Sequence, residues 1–184
     1  MEHRLRTPLL REDVAALRAG DFVWLSGVVY TARDRVHSLL KEGLPVDLSG
    51  AALYHCGPLI RDGLVLSAGP TTSSRLARYT GEVVDSGVRL IIGKGGLPGA
   101  APALLGRCAY LAYPGGCGAL SSKQLLVRGI HLGHLGMAEA LWELLALDFG
   151  PMIVAIDSHG RDLYEEVGQS VKANLRSILR RSRC

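Results

Sequence analysis

The sequence predicts an α/β protein in which a mixed sheet is covered by helices. Short β-branched and aromatic runs alternate along the chain with amphipathic stretches, which is typical of α/β folds. Several of the short runs are continuously apolar, as expected for strands that are buried on both faces. The 184 residues are 48% hydrophobic and 21% charged, which is enough apolar surface for a core and excludes a disordered chain. This length predicts a single domain spanning residues 1–184.

Five segments are predicted as strands because apolar, β-branched or aromatic residues run up to a polar or glycine turn. These are residues 22–30, 51–55, 88–92, 109–113 and 152–156. Five more are predicted as helices because their apolar residues recur at helical spacing, in several cases before a glycine. These are residues 11–19, 32–42, 73–85, 137–146 and 161–179. Ser73 or Ser74 is the expected N-cap of the third helix, and glycine content predicts loops over 95–102 and 129–136.

The charge pattern restricts the partners that we expect. The net charge is +4, and much of the excess lies in a basic C-terminal segment. Its basic residues are Lys172, Arg176, Arg180, Arg181 and Arg183. A basic tail can bind nucleic acid, but aromatic residues are only 5% of the chain and provide no base-stacking row. We therefore expect a solvated helix face with cations near the helix C-terminus, and no nucleic-acid partner.

The sequence also predicts a cytoplasmic protein without a membrane segment. No apolar run approaches the roughly 20 residues that a bilayer span needs. The first residues, Met1–Arg6, are charged and lack the apolar core of a signal peptide.

The four cysteines, Cys56, Cys108, Cys117 and Cys184, are widely spaced. An even number permits two disulfides, but nothing else in the sequence indicates secretion. No pair has the Cys-x-x-Cys spacing of a zinc or redox motif, and the spacing does not suit an iron–sulfur cluster held by this chain alone. We expect free and mostly buried thiols, and no metal site.

Candidate functional residues follow the ends of predicted strands. Arg33 lies near a helix start, where a cation is unfavourable unless an anionic ligand or a carboxylate elsewhere in the protein pairs with it. A run of four hydroxyl residues then leads into the third helix: Thr71, Thr72, Ser73 and Ser74. One hydroxyl is enough for an N-cap, so the surplus together with Arg75 favours a carboxylate or phosphate site.

Two glycine turns complete this set of strand ends. Gly93–Gly96 places Lys94 directly after a strand, although the frame of a P-loop is missing. The turn at Tyr113–Gly118 contains Cys117, which is an activated thiol or, more in keeping with the glycines, part of a tight structural turn. Strand ends gather at one crevice in open α/β sheets. The three cations Arg33, Arg75 and Lys94 therefore predict a site for a small dicarboxylate.

Seven segments, in this order, resemble the β subunit of the iron–sulfur hydro-lyases, the family of class I fumarate hydratase and L(+)-tartrate dehydratase. They are Gly27–His37, Tyr54–Pro58, Gly69–Arg75, Gly93–Gly96, Gly136–Trp142, Asp148–Pro151 and Ile156–Gly160, with Leu163-Tyr164 following. Gly69–Arg75 is the most specific of them, and the resemblance covers nearly the whole chain. Two departures are small: Leu76 stands where the family usually has methionine, and Asp162 where it often has asparagine.

The resemblance implies a swivelling β/β/α domain that closes over an α part, where three cysteines hold a 4Fe-4S cluster. The open iron of that cluster acts as a Lewis acid. Carried over residue by residue, Arg33, Arg75 and Lys94 bind the substrate carboxylates, and Thr71 removes the carbon-bound proton. Thr72 and Ser73 help to bind the substrate in this scheme, and Thr72 is an alternative base. The chain is then half of a hydro-lyase, active only with a cluster-binding α subunit in a heterodimer or higher heteromer.

Three functions remain open on the sequence. Reversible hydration of fumarate to malate is the first choice, and dehydration of tartrate to oxaloacetate is the alternative, since both substrates suit the same cationic residues. A different class of function is a non-catalytic anion-binding or regulatory domain. The presence of Thr71, Arg75 and Lys94 together counts against this last alternative.

Overall fold

The computed structural model describes residues 1–181, and at positions 177, 180 and 181 it describes the backbone alone. The strands are β1 (Glu2–Arg6), β2 (Phe22–Thr31), β3 (Ala52–Tyr54), β4 (Leu59–Arg61), β5 (Leu64–Ser67), β6 (Leu90–Gly93), β7 (Ala109–Ala112), β8 (Leu125–His131) and β9 (Leu141–Ile156). The α-helices are α1 (Arg11–Ala15), α2 (Asp34–Ser38), α3 (Thr80–Asp85), α4 (Ala101–Leu104), α5 (Gly118–Ser121) and α6 (Leu163–Arg181). Short 3-10 helices occupy Leu40–Glu42, Ser73–Tyr79 and Gly133–Leu135. Within residues 1–181, no helix is both long and apolar enough to cross a bilayer.

Seven strands form one mixed sheet, which confirms the predicted α/β class. β1, β2, β3, β6 and β7 are parallel neighbours in that order, and β9 runs antiparallel to β2, β7 and β8. The 16 residues of β9 are enough to pair with β2 first and with β7 at its end. Ile153 of β9 aligns with both Phe22 of β2 and Ala112 of β7. The pairings therefore close β2, β3, β6, β7 and β9 into a ring.

β2, β3, β6 and β7 each contribute to two cores, one on each face. Tyr54 and Ile92 point to one core, and their neighbours Leu53 and Ile91 point to the other. The first core fills the ring, because Tyr54 of β3 packs on Phe149 of β9, with ring centroids 5.4 Å apart, although these strands are not neighbours. Three helices cover the second core, through Val36 of α2, Val83 of α3 and Leu104 of α4. Burial on both faces is the physical reason for the continuously apolar strands.

One predicted helix is wrong. The sequence predicts a helix over residues 137–146, but residues 141–146 begin β9 and residues 137–140 form a turn. Leu141, Leu144 and Leu145 fit helical spacing, but β9 has strands on both sides, β2 and β8, and the backbone hydrogen bonds of both ladders determine its conformation. The predicted loop over 129–136 is wrong in its first half for the same reason, since β8 extends to His131.

Other elements differ from the prediction in detail. The predicted helix over 73–85 is a 3-10 helix followed by α3, and the prediction that Ser73 or Ser74 caps it is wrong, because Thr72 occupies the N-cap position and makes no capping bond. The closing helix over 161–179 is confirmed as α6. The sequence does not predict strands β1, β4 and β5, which are short or rich in charged residues. Arg180 and Arg181 of the predicted solvated face lack described side chains, and Arg183 and Cys184 lie outside the described residues.

Candidate active site

Three parallel strands end at one edge of the sheet, and each is followed by a polar residue. Arg33 lies two residues after β2, His55 follows β3 directly, and Lys94 follows β6 directly. Because β2, β3 and β6 are consecutive neighbours, their carboxyl ends lie side by side. These strand ends thus lie together at one edge of the sheet, as the sequence predicts.

The hydroxyl segment lies between two of these strand ends and is held by its backbone. The Thr71 N–H donates to the His55 carbonyl at 2.7 Å, and the Lys94 N–H donates to the Thr71 carbonyl at 3.1 Å. The Ser73 N–H then donates to the Lys94 carbonyl at 3.0 Å. Thr72 consequently forms an isolated parallel bridge with Lys94, as a short additional strand would. The half-buried Thr71 and the exposed Thr72 are thereby fixed at the edge of the sheet.

Ser73 is fully buried, and its hydroxyl contacts the protein interior. Its Oγ lies 2.9 Å from Nδ1 of His55, which is itself buried. Gly93 makes this possible, because a Cβ at that position would be 1.8 Å from the Ser73 Oγ. The structure therefore places Ser73 behind Thr71 and Thr72.

Arg33 packs closely against the chain that follows β3. A Cβ on Gly57 would lie 2.7 Å from the Arg33 Cδ, so only glycine allows this approach. The Arg33 Nε is 3.3 Å from a carboxylate oxygen of Glu139, but it is buried and makes no hydrogen bond. A carboxylate partner for Arg33 was one of the two alternatives that the sequence left open. The Arg33 side chain as a whole is still 27% exposed, which leaves part of it accessible to an anionic ligand.

Two buried histidines connect Arg33 to the hydroxyl segment. The Nδ1 of His37 is 2.8 Å from the Arg33 carbonyl, which fixes the proton on Nδ1 and leaves a lone pair on Nε2. That Nε2 is buried without a partner. The rings of His37 and His55 meet edge to face with centroids 5.0 Å apart. Burial lowers the pKa of both imidazoles, so both are neutral at physiological pH.

Neither histidine is among the site residues predicted from the sequence. Both histidines lie in segments that carry the family resemblance, Gly27–His37 and Tyr54–Pro58, and this is the signal that could have identified them. Their ring contact and the Ser73 contact join residues 18 positions apart or more, and only the folded chain shows them.

Arg75 follows the hydroxyl segment in the chain, and the backbone of Lys94 pairs with that segment. The Arg75 Nη2 donates to the Asp34 carboxylate at 2.6 Å, which connects the 3-10 helix to the first turn of α2 beside Arg33. The Lys94 side chain passes over the turn at Gly115, where a Cβ would be 2.9 Å from the Lys94 Cδ. Lys94 also lines an open cleft of about 440 Å³ together with Tyr113 and other residues. Arg33 and Arg75 thus each lie beside a carboxylate, and the lining of the Lys94 cleft includes neither of them.

The described cysteines do not provide ligands for a metal cluster. Cys56 and Cys108 are fully buried, and burial raises the pKa of each thiol to about 12. Cys117 is half-buried and is the N-cap residue of α5. Within residues 1–181, no three His, Cys, Asp or Glu side chains are arranged to hold a metal ion. The donor set in this part of the chain therefore does not fit a 4Fe-4S cluster.

Comparison with known proteins gives the family. The family model described as "Fumarase C-terminus" matches residues 2–167. The chain is 40% identical to a putative L(+)-tartrate dehydratase subunit beta of Methanocaldococcus jannaschii, over 93% of this chain and 95% of that protein. It is 37% identical to the L(+)-tartrate dehydratase subunit beta of Escherichia coli K12, over 90% and 88%.

A third relative has a different architecture. The chain is 36% identical to a putative fumarate hydratase class I of Geobacillus stearothermophilus, over 90% of this chain but only 34% of that longer protein. The same unit thus occurs as a separate chain and as part of a larger one. With the family match over residues 2–167, these relatives show that the chain belongs to the β-subunit family of class I fumarate hydratases and L(+)-tartrate dehydratases.

Proposed function

We propose that this chain is the β subunit of a 4Fe-4S-dependent hydro-lyase that reversibly removes water from a 2-hydroxy dicarboxylate. The observation that carries the proposal is the placement of Thr71, which the backbones of His55 and Lys94 hold at the strand edge beside the cationic residues. A non-catalytic anion site needs the cations but has no use for a rigidly held hydroxyl.

The proposed chemistry of this chain is proton removal. In dehydration, the Thr71 Oγ takes the proton from the carbon next to a carboxylate, and that C–H electron pair forms the double bond as hydroxide leaves the neighbouring carbon. A threonine is a weak base at its ordinary pKa, so it needs cations nearby to stabilise the alkoxide and the charge developing on the carboxylate. Arg33, Arg75 and Lys94 provide positive charge for this and bind the two carboxylates.

The remaining hydroxyls take different roles in this proposal. Thr72 is exposed, so its hydroxyl is available to a carboxylate oxygen. Ser73 is buried against His55, so it acts by holding the segment in place. This supports Thr71 as the base and Thr72 as a substrate contact.

The cluster belongs, in this proposal, to an α subunit. The relatives are named as beta subunits, which implies a partner chain. The described part of this chain lacks a cluster ligand set, so the partner would contribute the 4Fe-4S cluster and the two chains would form a heterodimer or higher heteromer.

Fumarate and malate are the first choice of substrate pair. A specific observation favours tartrate and oxaloacetate as the second candidate: two relatives that this chain matches over 88% or more of their length carry the tartrate dehydratase name. Malate and L(+)-tartrate each present two carboxylates and a hydroxyl on a carbon next to a carboxylate.

The test is reconstitution. The chain is produced with its α subunit under strict anaerobiosis with iron and sulfide, and dehydration of malate and of L(+)-tartrate is measured. We expect activity from the pair and none from this chain alone, with the better substrate identified by kcat/KM. Full activity of the isolated chain, or dicarboxylate binding by a loaded pair without turnover of either substrate, would contradict the proposal. The second result would instead support the anion-binding function.

A further inference from the structure

Glu139 lies at the candidate site but has no part in the proposed reaction. Its carboxylate is beside Arg33, one of the cations proposed to bind the substrate, and its Oε1 is 3.3 Å from the Arg33 Nε. A fixed negative charge next to such a cation weakens the attraction of the site for a dicarboxylate. The presence of Glu139 therefore needs a reason other than substrate affinity.

A tight turn before β9 fixes the position of Glu139. The turn contains Gly136 at a φ of +91°, a conformation that favours glycine. The Gly136 carbonyl accepts the N–H groups of Glu139 at 3.0 Å and of Ala140 at 2.8 Å. The indole Nε1 of Trp142 donates to the Met137 carbonyl at 2.8 Å. This segment of the family resemblance thus builds a firm support for one carboxylate.

Both oxygens of that carboxylate contact the start of α2. Oε2 accepts the backbone N–H of Arg35 at 3.0 Å. Arg35 lies in the first turn of α2, where backbone N–H groups have no partner within the helix. Oε1 is next to Arg33, which is the N-cap residue of α2. Glu139 is therefore fixed relative to the backbone that carries Arg33.

The chain after β3 also packs against the Arg33 side chain. A Cβ on Gly57 would lie 2.7 Å from the Arg33 Cδ and 2.6 Å from the Ala138 carbonyl oxygen, so the turn, Gly57 and Arg33 are in close contact. Within the described part of the chain, the Nη groups of Arg33 donate no hydrogen bond, and unlike Nε they are not buried. A guanidinium can bind one carboxylate through its Nη pair while its Nε faces another acceptor.

We propose that Glu139 is a positioning residue, which holds the Nε side of the Arg33 guanidinium so that the Nη pair faces a carboxylate of the substrate. This inference rests on the proposed function, since it takes Arg33 to bind the substrate. Glu139 itself does not touch the substrate. Its contribution is geometric, because a bound substrate reacts fast only when it is held within a narrow range of positions.

The first test is steady-state kinetics of the reconstituted pair with Glu139→Gln, which keeps the size of the side chain and removes its charge. We expect kcat to fall by about tenfold to a hundredfold. KM should stay unchanged or fall, because the site gains positive charge. Glu143→Gln is the matched control, since the Glu143 side chain is also 21% exposed and its Oε1 is 3.4 Å from the Nε of Arg128. The control should keep wild-type kinetics.

A combination with Arg33→Lys tests whether Glu139 acts through Arg33. Arg33→Lys keeps the charge and removes the planar fork. In that variant Glu139→Gln should lower kcat/KM by less than about twofold. Losses that multiply in the double variant would overturn the proposal, because Glu139 would then affect the reaction by another route, such as a loss of folded protein. Equal kcat values for Glu139→Gln and Glu143→Gln would overturn it as well.

A second readout does not require turnover. In nitrogen–proton correlation spectra of the full chain, the Nε–H signal of Arg33 is identified by its absence in Arg33→Lys. We expect a resolved signal in the wild type and in Glu143→Gln, which moves to the position of solvent-exposed arginines in Glu139→Gln. A signal that Glu139→Gln leaves in place would overturn the proposal. An inactive wild-type pair would contradict the proposed function alone, because the spectrum still shows whether Glu139 holds Arg33.

Discussion

Thr71 is fixed at both of its backbone hydrogen-bonding groups, by the His55 carbonyl and by the Lys94 N–H. The hydroxyl is therefore placed without the loss of freedom that a flexible loop would incur at each turnover. A residue fixed in this way suits a step that tolerates little displacement, such as proton transfer.

Thr71→Ala should abolish most turnover in the reconstituted complex and leave KM nearly unchanged. A base acts in the transition state, so its loss lowers kcat by about 10²–10⁴-fold with little effect on substrate affinity. The measurement is steady-state kinetics together with exchange of the substrate's carbon-bound proton with solvent. Thr72→Ala is the matched control and should chiefly raise KM. If Thr72→Ala abolishes exchange and Thr71→Ala does not, the two roles are reversed.

Arg75→Met should lower kcat/KM by the equivalent of about 2–5 kcal/mol, because a charged hydrogen bond to a carboxylate is lost. Arg78→Met is the control, since Arg78 lies on the same 3-10 helix and stacks on its neighbour Tyr79, 4.7 Å from the ring centroid. Neither change should alter the unfolding free energy by more than about 1 kcal/mol, because both side chains are exposed and an exposed ion pair such as Arg75 with Asp34 contributes little. Equal losses of kcat/KM in the two variants would refute the role of Arg75.

Ser73→Ala should destabilise the fold by about 1–3 kcal/mol, because it leaves the buried Nδ1 of His55 without its partner. Ser74→Ala, one residue further on and exposed, should change stability by less than about 0.5 kcal/mol. Urea unfolding of both variants measures the difference. Similar values for the two would mean that the contact between Ser73 and His55 contributes nothing to stability.

At the scale of elements, Asp157 joins the end of β9 to the start of α6. Its carboxylate accepts backbone N–H groups of Ala19, His159 and Arg161, each at 3.0 Å. Burial acts to raise the pKa of Asp157, but these three bonds outweigh it and hold the pKa below the ordinary value of 3.8. The ionised carboxylate thus stabilises the fold above that value, and the contribution is lost as the pH falls below it.

Asp157→Asn should destabilise the protein by about 1–3 kcal/mol at pH 7, because one amide N–H₂ then faces a backbone donor. The variant should also lose part of the dependence of stability on acid pH. Unfolding free energies between pH 2 and 7 measure both effects. If the unfolding free energies of the wild type and the variant depend on pH in the same way, Asp157 does not cause the loss of stability in acid.

At the scale of the whole molecule, the closed ring determines which thiols reagents can reach. Cys56 faces the core inside the ring and Cys108 faces the core under the helices, and neither has exposed surface. Their pKa values of about 12 also keep both thiols protonated near neutral pH. Thiolate is the reactive form, so both conditions for reaction are absent.

Native protein should therefore leave Cys56 and Cys108 unmodified by iodoacetamide at pH 8, whereas the half-buried Cys117 should react. Unfolding in guanidinium should expose all of them. Peptide mass spectrometry identifies the sites. Modification of Cys108 at the same rate as Cys117 in the native protein would contradict the burial of the second core.

Local sequence determined a good part of this fold and its site. Strands β3, β6 and β7 could be predicted because burial on both faces demands continuous apolar residues, and that demand is visible in each segment alone. β2 could be predicted because most of its residues are β-branched or aromatic. The position of the candidate site could also be predicted, because Arg33 and Lys94 lie within two residues of the ends of such strands and parallel strands end at one edge.

Only the tertiary structure decided the conformation of β9 and the supports of the site. The segment 137–146 has apolar spacing compatible with a helix, and pairing with β2, more than a hundred residues earlier in the chain, makes its second part a strand. The contact of Ser73 with His55 and the ion pair of Arg75 with Asp34 likewise join distant residues. The physical reason is that hydrogen-bond partners and burial are properties of the assembled chain, whereas periodicity and composition are properties of a short segment.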